Sequence, residues 1–343
     1  MYLNGRDKDD FTLQDTKAIK AIAIILMLMH HLWGFPDRIA DELSIFGIHN
    51  TDIIVIMGNF GKVCVSFFFF LGGYGLYKSS KINEFHIISR IRKLYMSFWK
   101  IFIVFIPLGF IFFKNQPIYC EDASICSRFN EFSIYVLLKN FWGFESSYNS
   151  EWWFFMSYII AIITFPIIKW IIDKNEIYIN VLLIIIMSIL VGNVFPAIGK
   201  CKELGILNSN FLYIILFCQS TFVPCFWGGM LFAKEELLVH LAKNLRDNKM
   251  LNPFYDICIW IVIAFLREAV MEETIDFILV PILIVTAIDF LNRTKCLKLM
   301  LIKIGERSTS MWLIHTFFCY YFGKVARIIV ITKDAILSLI ILV

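Results

Sequence analysis

The run KAIKAIAIILMLMHHLWGF (17–35) places Lys17 and Lys20 near one end of an apolar segment and two adjacent histidines, His30 and His31, near the other. On an α-helix, the separation between Lys20 and His31 is about three turns plus roughly 20°, so the two side chains share a face. Lys17 falls within about 40° of His31, whereas His30 is swung roughly 80° away from Lys20. The rise from Lys20 to His31 is about 16 Å. With Lys20 at a membrane interface, His31 therefore lies about halfway through the hydrocarbon. An ionisable group at that depth is costly unless it faces a cavity or a partner, which marks His31 as a candidate for proton transfer. Lys17 reads as an ordinary basic anchor that snorkels to the interface, and His30 fits packing and chemistry equally well.

Three further groups of residues carry chemistry. In HIISRIRKLYMSFWK (86–100), Arg90 and Lys93 are three residues apart on one helix face, with Arg92 beside them, and such a face holds phosphates through charge-assisted hydrogen bonds. Composition alone accounts for the same residues as topology-setting positive charge. In NSEWWFFMSY (149–158), the tryptophans fit an aromatic belt, which leaves Glu151 and Tyr158 as polar candidates. In GERSTSMWLIHTFF (305–318), His315 is another intramembrane histidine that must find a partner. Gly72, Gly73 and Gly75 in SFFFFLGGYGLYK point to close helix packing rather than chemistry. Arg267, Glu268, Glu272 and Glu273 read as solvated charges at the outer surface.

These residues sit in a chain of 343 residues with 59% hydrophobic and only 17% charged residues, too apolar for an ordinary water-soluble domain. Apolar runs recur along the whole length without strand-like alternation, so the fold class is all-α and the chain reads as a polytopic membrane protein. Candidate spans fall near 18–35, 60–78, 94–113, 152–172, 176–195, 210–233, 254–267, 275–291, 309–323 and 326–343. That gives about ten transmembrane helices in one domain covering 1–343, with an interfacial helix near 134–144. The basic connections 78–93, 234–249 and 293–307 then fall on one side with the N-terminus, which places that side in the cytoplasm. The first residues lack a cleavable leader pattern. Five of the cysteines (Cys64, Cys218, Cys225, Cys258, Cys319) lie in apolar runs, where they pack as small hydrophobes, and Cys120 and Cys126 in an outer loop fit a disulfide or two free thiols equally well. No metal-ligand spacing, nucleotide loop or hydrolase elbow is present, and nucleic acid is not implied.

Taken together, Lys20 with His31, FFFFLGGYGL, RIRKLYMSFW, WWFFMSYIIAIITFP, FWGGMLF and GERSTSMWLIH resemble, in order and spacing, the acyltransferase-3 family of bacterial integral membrane acyltransferases that modify cell-surface glycans. The chain departs from the usual pattern in having Lys20 for the first arginine, Lys93 for the second arginine of the Arg-x-x-Arg pair, and Met96 for a proline. Each lysine keeps charge and loses bidentate geometry. The resemblance implies a short, stand-alone member in a bacterial plasma membrane, with no permanently bound cofactor and no metal. It implies transfer of an acetyl or similar acyl group from an acyl-CoA donor in the cytoplasm to a glycan hydroxyl. His31 would be the general base, Lys20, Arg90, Arg92 and Lys93 would hold the donor, and His30, Glu151, Tyr158 and His315 are further candidates. A transporter or flippase of a lipid-linked sugar is the alternative reading, because its pathway would also need buried charge. Dependence on a thioester donor separates the two.

Overall fold

The computed structural model describes residues 11–35, 43–82, 85–116, 128–190, 222–270 and 275–343. Among these residues there are only helices, turns and two isolated β-bridges. The first helix, α1 (Leu13–Trp33), begins where Thr12 and Asp15 cap each other: the Asp15 amide donates to Thr12 Oγ1 at 3.1 Å and the Thr12 amide to Asp15 Oδ2 at 2.8 Å. The chain continues through α2 (Thr51–Gly61), α3 (Cys64–Ile82), α4 (Ile87–Phe112), α5 (Ile134–Phe141), α6 (Trp153–Lys174) and α7 (Ile177–Ile189). It resumes with α8 (Phe222–Lys234), α9 (Leu237–Asp247), α10 (Pro253–Val270), α11 (Asp276–Arg293), α12 (Lys295–Glu306) and α13 (Ser308–Thr316). A π-helical turn (Phe317–Tyr321) leads to α14 (Gly323–Ile329) and α15 (Ala335–Leu342).

Among the described residues, four stretches are long and apolar enough to cross a membrane: Leu13–Trp33, Thr51–Ile82 with α2 and α3 taken together, Ile87–Phe112 and Ser150–Lys174. Their outward faces stay apolar. Ile103, Val104 and Ile111 of α4 and Ile163, Ile167 and Trp170 of α6 are exposed, a pattern suited to lipid rather than water. The expected span 210–233 is described only from α8 onward, and Cys120, Cys126 and Cys218 lie outside the described residues. Cys64, Cys225 and Cys319 are buried, as expected of small hydrophobes.

The structure departs from the sequence reading in two places. The run expected as a single helix over 326–343 is broken into α14 and α15, because Lys333 adopts a positive φ of 52° and Asp334 caps α15 by accepting from the Leu337 amide at 2.9 Å. The segment 134–144, expected as a short interfacial helix rather than a crossing, contains α5 and packs along α4. Phe132 just before α5 meets Phe110 at 5.6 Å, while Phe141 stacks on Trp99 at 4.9 Å and the carbonyl after it, that of Trp142, accepts from Tyr95 at 2.9 Å. With eight residues, α5 is about 12 Å long and cannot cross the hydrocarbon by itself. The second departure is Arg267, expected as a solvated charge. It is buried against Asp276 at the α10–α11 junction, because Asp276 is fully enclosed and needs a cationic donor. Glu272 and Glu273 lie outside the described residues.

Close approach of backbones fixes the bundle. A methyl group on Gly73 of α3 would stand 2.1 Å from the Phe226 carbonyl of α8, and one on Gly229 of α8 would stand 2.1 Å from the Phe70 carbonyl of α3. Nothing lies within 4 Å of the corresponding position at Gly75. Gly73→Ala is therefore expected to destabilise the protein by roughly 1–3 kcal/mol through forced separation of α3 and α8. Gly75→Ala is expected to be neutral or stabilising, since alanine is the better helix former by about 1 kcal/mol. Thermal unfolding of both variants in the same detergent checks the contrast. The amphipathic α12 is fastened to α1 by Lys17–Glu306 at 2.7 Å and Lys298–Asp15 at 2.5 Å. The hydrogen bond from Lys17 holds the Glu306 carboxyl below its ordinary range, and attraction between the charges adds to it.

Candidate active site

The face of α1 that carries His31 meets α13 and the π-helical turn. The His31 ring lies 4.7 Å from the His315 ring, 6.0 Å from Tyr320 and 6.2 Å from Phe35, measured between centroids. His31 is 9% exposed and His315 only 3%, so two titratable rings face each other inside the bundle. His30 sits half-buried beside this pair, its ring 5.1 Å from that of His31, while its Nδ1–H donates to the Gly58 carbonyl of α2 at 3.0 Å.

The orientation of His315 is fixed locally. Its Nδ1 lies 2.6 Å from the Trp312 carbonyl, one turn earlier on α13. A carbonyl oxygen only accepts, so Nδ1 carries the proton, and in a neutral ring Nε2 holds the lone pair. Nε2 is buried and has no hydrogen-bond partner among the described residues.

Glu151 approaches from the opposite wall. It belongs to a 3₁₀ turn (Ser150–Trp152) that starts α6, and Asn149 caps this turn with its Oδ1 accepting from the Glu151 amide at 3.2 Å. The turn is pinned to α13 and the π-helical turn at several points. Trp152 Nε1 donates to the Leu313 carbonyl at 3.0 Å and Asn149 Nδ2 to Thr316 Oγ1 at 2.7 Å, and the Ser150 amide donates to the Tyr321 hydroxyl at 3.1 Å. That hydroxyl in turn donates to Glu151 Oε2 at 2.9 Å. Trp152 also contacts Phe102 of α4 at 5.9 Å, so the turn lies beside the middle of α4 rather than at its end. The Glu151 carboxylate is in electrostatic reach of His315, and so is His30. Arg128 covers the Tyr321 ring at 5.2 Å and donates to Ser150 Oγ at 3.3 Å.

A second polar cluster lies at the other end of α6. Arg90 is half-buried, donates to Ser79 Oγ at 2.9 Å and sits over the Phe85 ring at 5.1 Å. It is also in electrostatic reach of Tyr158, whose hydroxyl faces Gly72 of α3. A separate group forms on Tyr77: Lys81 and Lys169 lie over its ring, and Asp173 accepts from Lys169 and, at 2.5 Å, from the Tyr77 hydroxyl. Arg92 and Lys93 are exposed on the far side of α4, so Arg90 alone of the three reaches inward. Lys20 is half-buried and makes no hydrogen bond or ion pair among the described residues.

The structure thus joins His31, His315 and Glu151 in one group and Arg90 with Tyr158 in another, with His30 at the edge of the first. Sequence reasoning missed Tyr321, Ser150 and Tyr320. The signal for the tyrosines is weak, since only the extra residue of the π-helical turn brings Tyr320 towards His31 and Tyr321 towards Glu151. A groove of about 740 Å³ lies on the opposite face of α1 and is lined by Ile22, Leu26 and Met29. It is a lipid-facing cleft separate from the histidines. Among the described residues, no cluster of histidine, cysteine and acidic side chains could hold a metal ion.

No curated protein and no solved structure matches the chain. A family model described as an acyltransferase domain matches residues 15–343.

Proposed function

Because the chain belongs to the acyltransferase-3 family, and so is a membrane acyltransferase, we propose that it transfers an acetyl or similar acyl group from acyl-CoA to a hydroxyl of a cell-surface or lipid-linked glycan. The observation that carries this reading is the buried His31–His315 pair, at 4.7 Å, inside the family-matched bundle. A sugar hydroxyl is a poor nucleophile near neutral pH. An imidazole within hydrogen-bond reach removes its proton as the oxygen attacks the thioester carbonyl. His31 is that base. The new C–O bond forms, the C–S bond breaks, and the proton on His31 passes to the departing thiolate.

The charged donor is assigned to the cluster around Arg90. Coenzyme A carries phosphates, which a guanidinium grips through paired N–H groups. Arg90 is the principal contact, Lys93 and Arg92 supply positive charge at the rim, and Lys20 lies on the route towards His31. In the arrangement we favour, the helices cross the plasma membrane of a bacterial cell about ten times, with the N-terminus and the Arg90 cluster on the cytoplasmic side. Donor then arrives from inside and acceptor from outside.

The test is transfer of labelled acetyl groups by the purified protein from acetyl-CoA to a pool of envelope glycans. Labelled glycan supports the reading. Glycan movement across a vesicle membrane without consumption of any acyl-CoA would replace it with a transporter. Arg90→Gln is expected to raise KM for acetyl-CoA about tenfold to a hundredfold with kcat little changed. That range corresponds to the roughly 1.5–3 kcal/mol of a hydrogen bond to a charged group. Lys93→Gln is expected to have a smaller effect, because its side chain is exposed.

A further inference from the structure

We propose that His315 and Glu151 complete the base. His315 Nε2 accepts a hydrogen bond from the ring N–H of His31, and the Glu151 carboxylate, held by Tyr321, balances the charge that appears when His31 takes the acceptor proton. The proposal rests on the acyltransferase reading above and deepens it.

The geometry supplies each link. The bond from His315 Nδ1 to the Trp312 carbonyl leaves Nε2 as an acceptor, buried and without a partner among the described residues. The His31 ring is its neighbour at 4.7 Å, with 54° between the ring planes. The Trp312 bond holds the His315 ring in place, so the His31 ring is the one that turns about its own side-chain bonds to present an N–H to Nε2. A base oriented by a third group is the usual arrangement in nucleophile-activating sites, where that third group fixes the tautomer and favours the protonated ring. Here a histidine takes the orienting position, and a neutral ring compensates charge poorly by itself. Glu151 corrects this.

The carboxylate is fixed on several sides. Tyr321 donates to it at 2.9 Å, and Ser150 Oγ, 2.5 Å from the Tyr321 hydroxyl, closes the turn. The charged groups facing the relay are His30 on α1, Glu151 before α6, and Arg128 above Tyr321. Arg128 interacts with the Tyr321 ring and the Ser150 hydroxyl, which leaves Glu151 as the anion in reach of His315. His315 and Glu151 gain and lose no proton over the cycle. The acceptor proton goes to His31 and from there to the thiolate. Both are positioning residues, and His31 is the group that touches substrate.

The experiment compares wild type, His31→Ala, His315→Ala, His315→Gln, Glu151→Gln and the double variant His31→Ala with His315→Ala, each purified and matched for thermal unfolding. Transfer from acetyl-CoA to glycan is measured as kcat and KM separately. His315→Ala is expected to lower kcat about a hundredfold with KM for acetyl-CoA unchanged. His315→Gln, whose Oε1 still accepts a hydrogen bond, should recover at least tenfold of that loss. Glu151→Gln should lower kcat and leave KM alone. The double variant should be no slower than His31→Ala, because the two residues act as a unit. The relay is overturned if His315→Ala keeps kcat within twofold of wild type, if glutamine restores nothing, or if the losses of the two histidines multiply. Wild type without any transfer would instead sink the acyltransferase reading itself. Normal wild-type activity and a dead His31→Ala beside a fully active His315→Ala would sink the relay alone.

Discussion

His31→Ala is expected to lower kcat for acyl transfer by about 10²–10⁴, the range that a positioned general base contributes. KM for acetyl-CoA should change little, because the residues assigned to the donor lie at the other end of α6. The side chain is only 9% exposed, and its neighbours are the rings of His315, His30, Tyr320 and Phe35. His30→Ala makes the internal comparison. It removes a ring of the same type one residue away, whose Nδ1–H is spent on the Gly58 carbonyl of α2. A structural loss is expected there, seen as lower thermal stability with kcat within about tenfold of wild type, the cost of one ordinary hydrogen bond. Equal loss of kcat in both variants would mean that the pair acts through packing, and His31 would no longer be the base.

The contact of the His30 ring with that of His31 at 5.1 Å was not foreseen from the sequence, whereas helical periodicity, a short-range rule, was legible there. Eleven residues of α1 carry it from Lys20 to His31, and the capped, uninterrupted helix Leu13–Trp33 preserves it. The glycines of α3 were legible in part: Gly73 sits at the close approach to α8, whereas nothing lies within 4 Å of a methyl group on Gly75. What the sequence hid was the route of the chain between helices. Glu151 reads as a residue at the end of a span. It reaches His315 because α5 runs alongside α4 and delivers the Ser150–Trp152 turn to the depth of Phe102. Tyr321 was hidden by the π-helical turn, which rotates every residue after Phe317 away from the face that a 3.6-residue period assigns. Arg90 and Lys93 show the limit of the periodic argument. They are three residues apart on one helix, yet only Arg90 turns inward, because Ser79 and Phe85 line that side.

Asp276→Ala is expected to be the most destabilising single substitution named here, at about 3–5 kcal/mol, the range for breaking a buried ion pair by removing one partner. Asp276 is fully buried and Arg267 is 7% exposed. Arg267 Nε donates to Asp276 Oδ1 at 3.0 Å and Nη2 donates to Oδ2 at 3.2 Å, while Nη1 reaches the Asn59 carbonyl at 3.3 Å. The Ser66 hydroxyl donates to Oδ2 at 2.5 Å. One carboxylate therefore ties α10 and α11 to α3, and through Arg267 to α2. Its removal leaves a guanidinium in a low-dielectric site without its carboxylate, and the Ser66 hydroxyl loses its acceptor. The double variant Arg267→Met with Asp276→Leu removes both charges and fills similar volume, so most of the lost stability should return. Unfolding midpoints of the two variants in one detergent decide the matter. Should the double variant be as unstable as Asp276→Ala, the cost would lie in packing or in the hydrogen bonds to Ser66 and Asn59 rather than in an uncompensated charge. None of this network touches His31 or Arg90. At temperatures where Asp276→Ala stays folded, its kcat should therefore match wild type, which separates the frame of the bundle from the chemistry it holds.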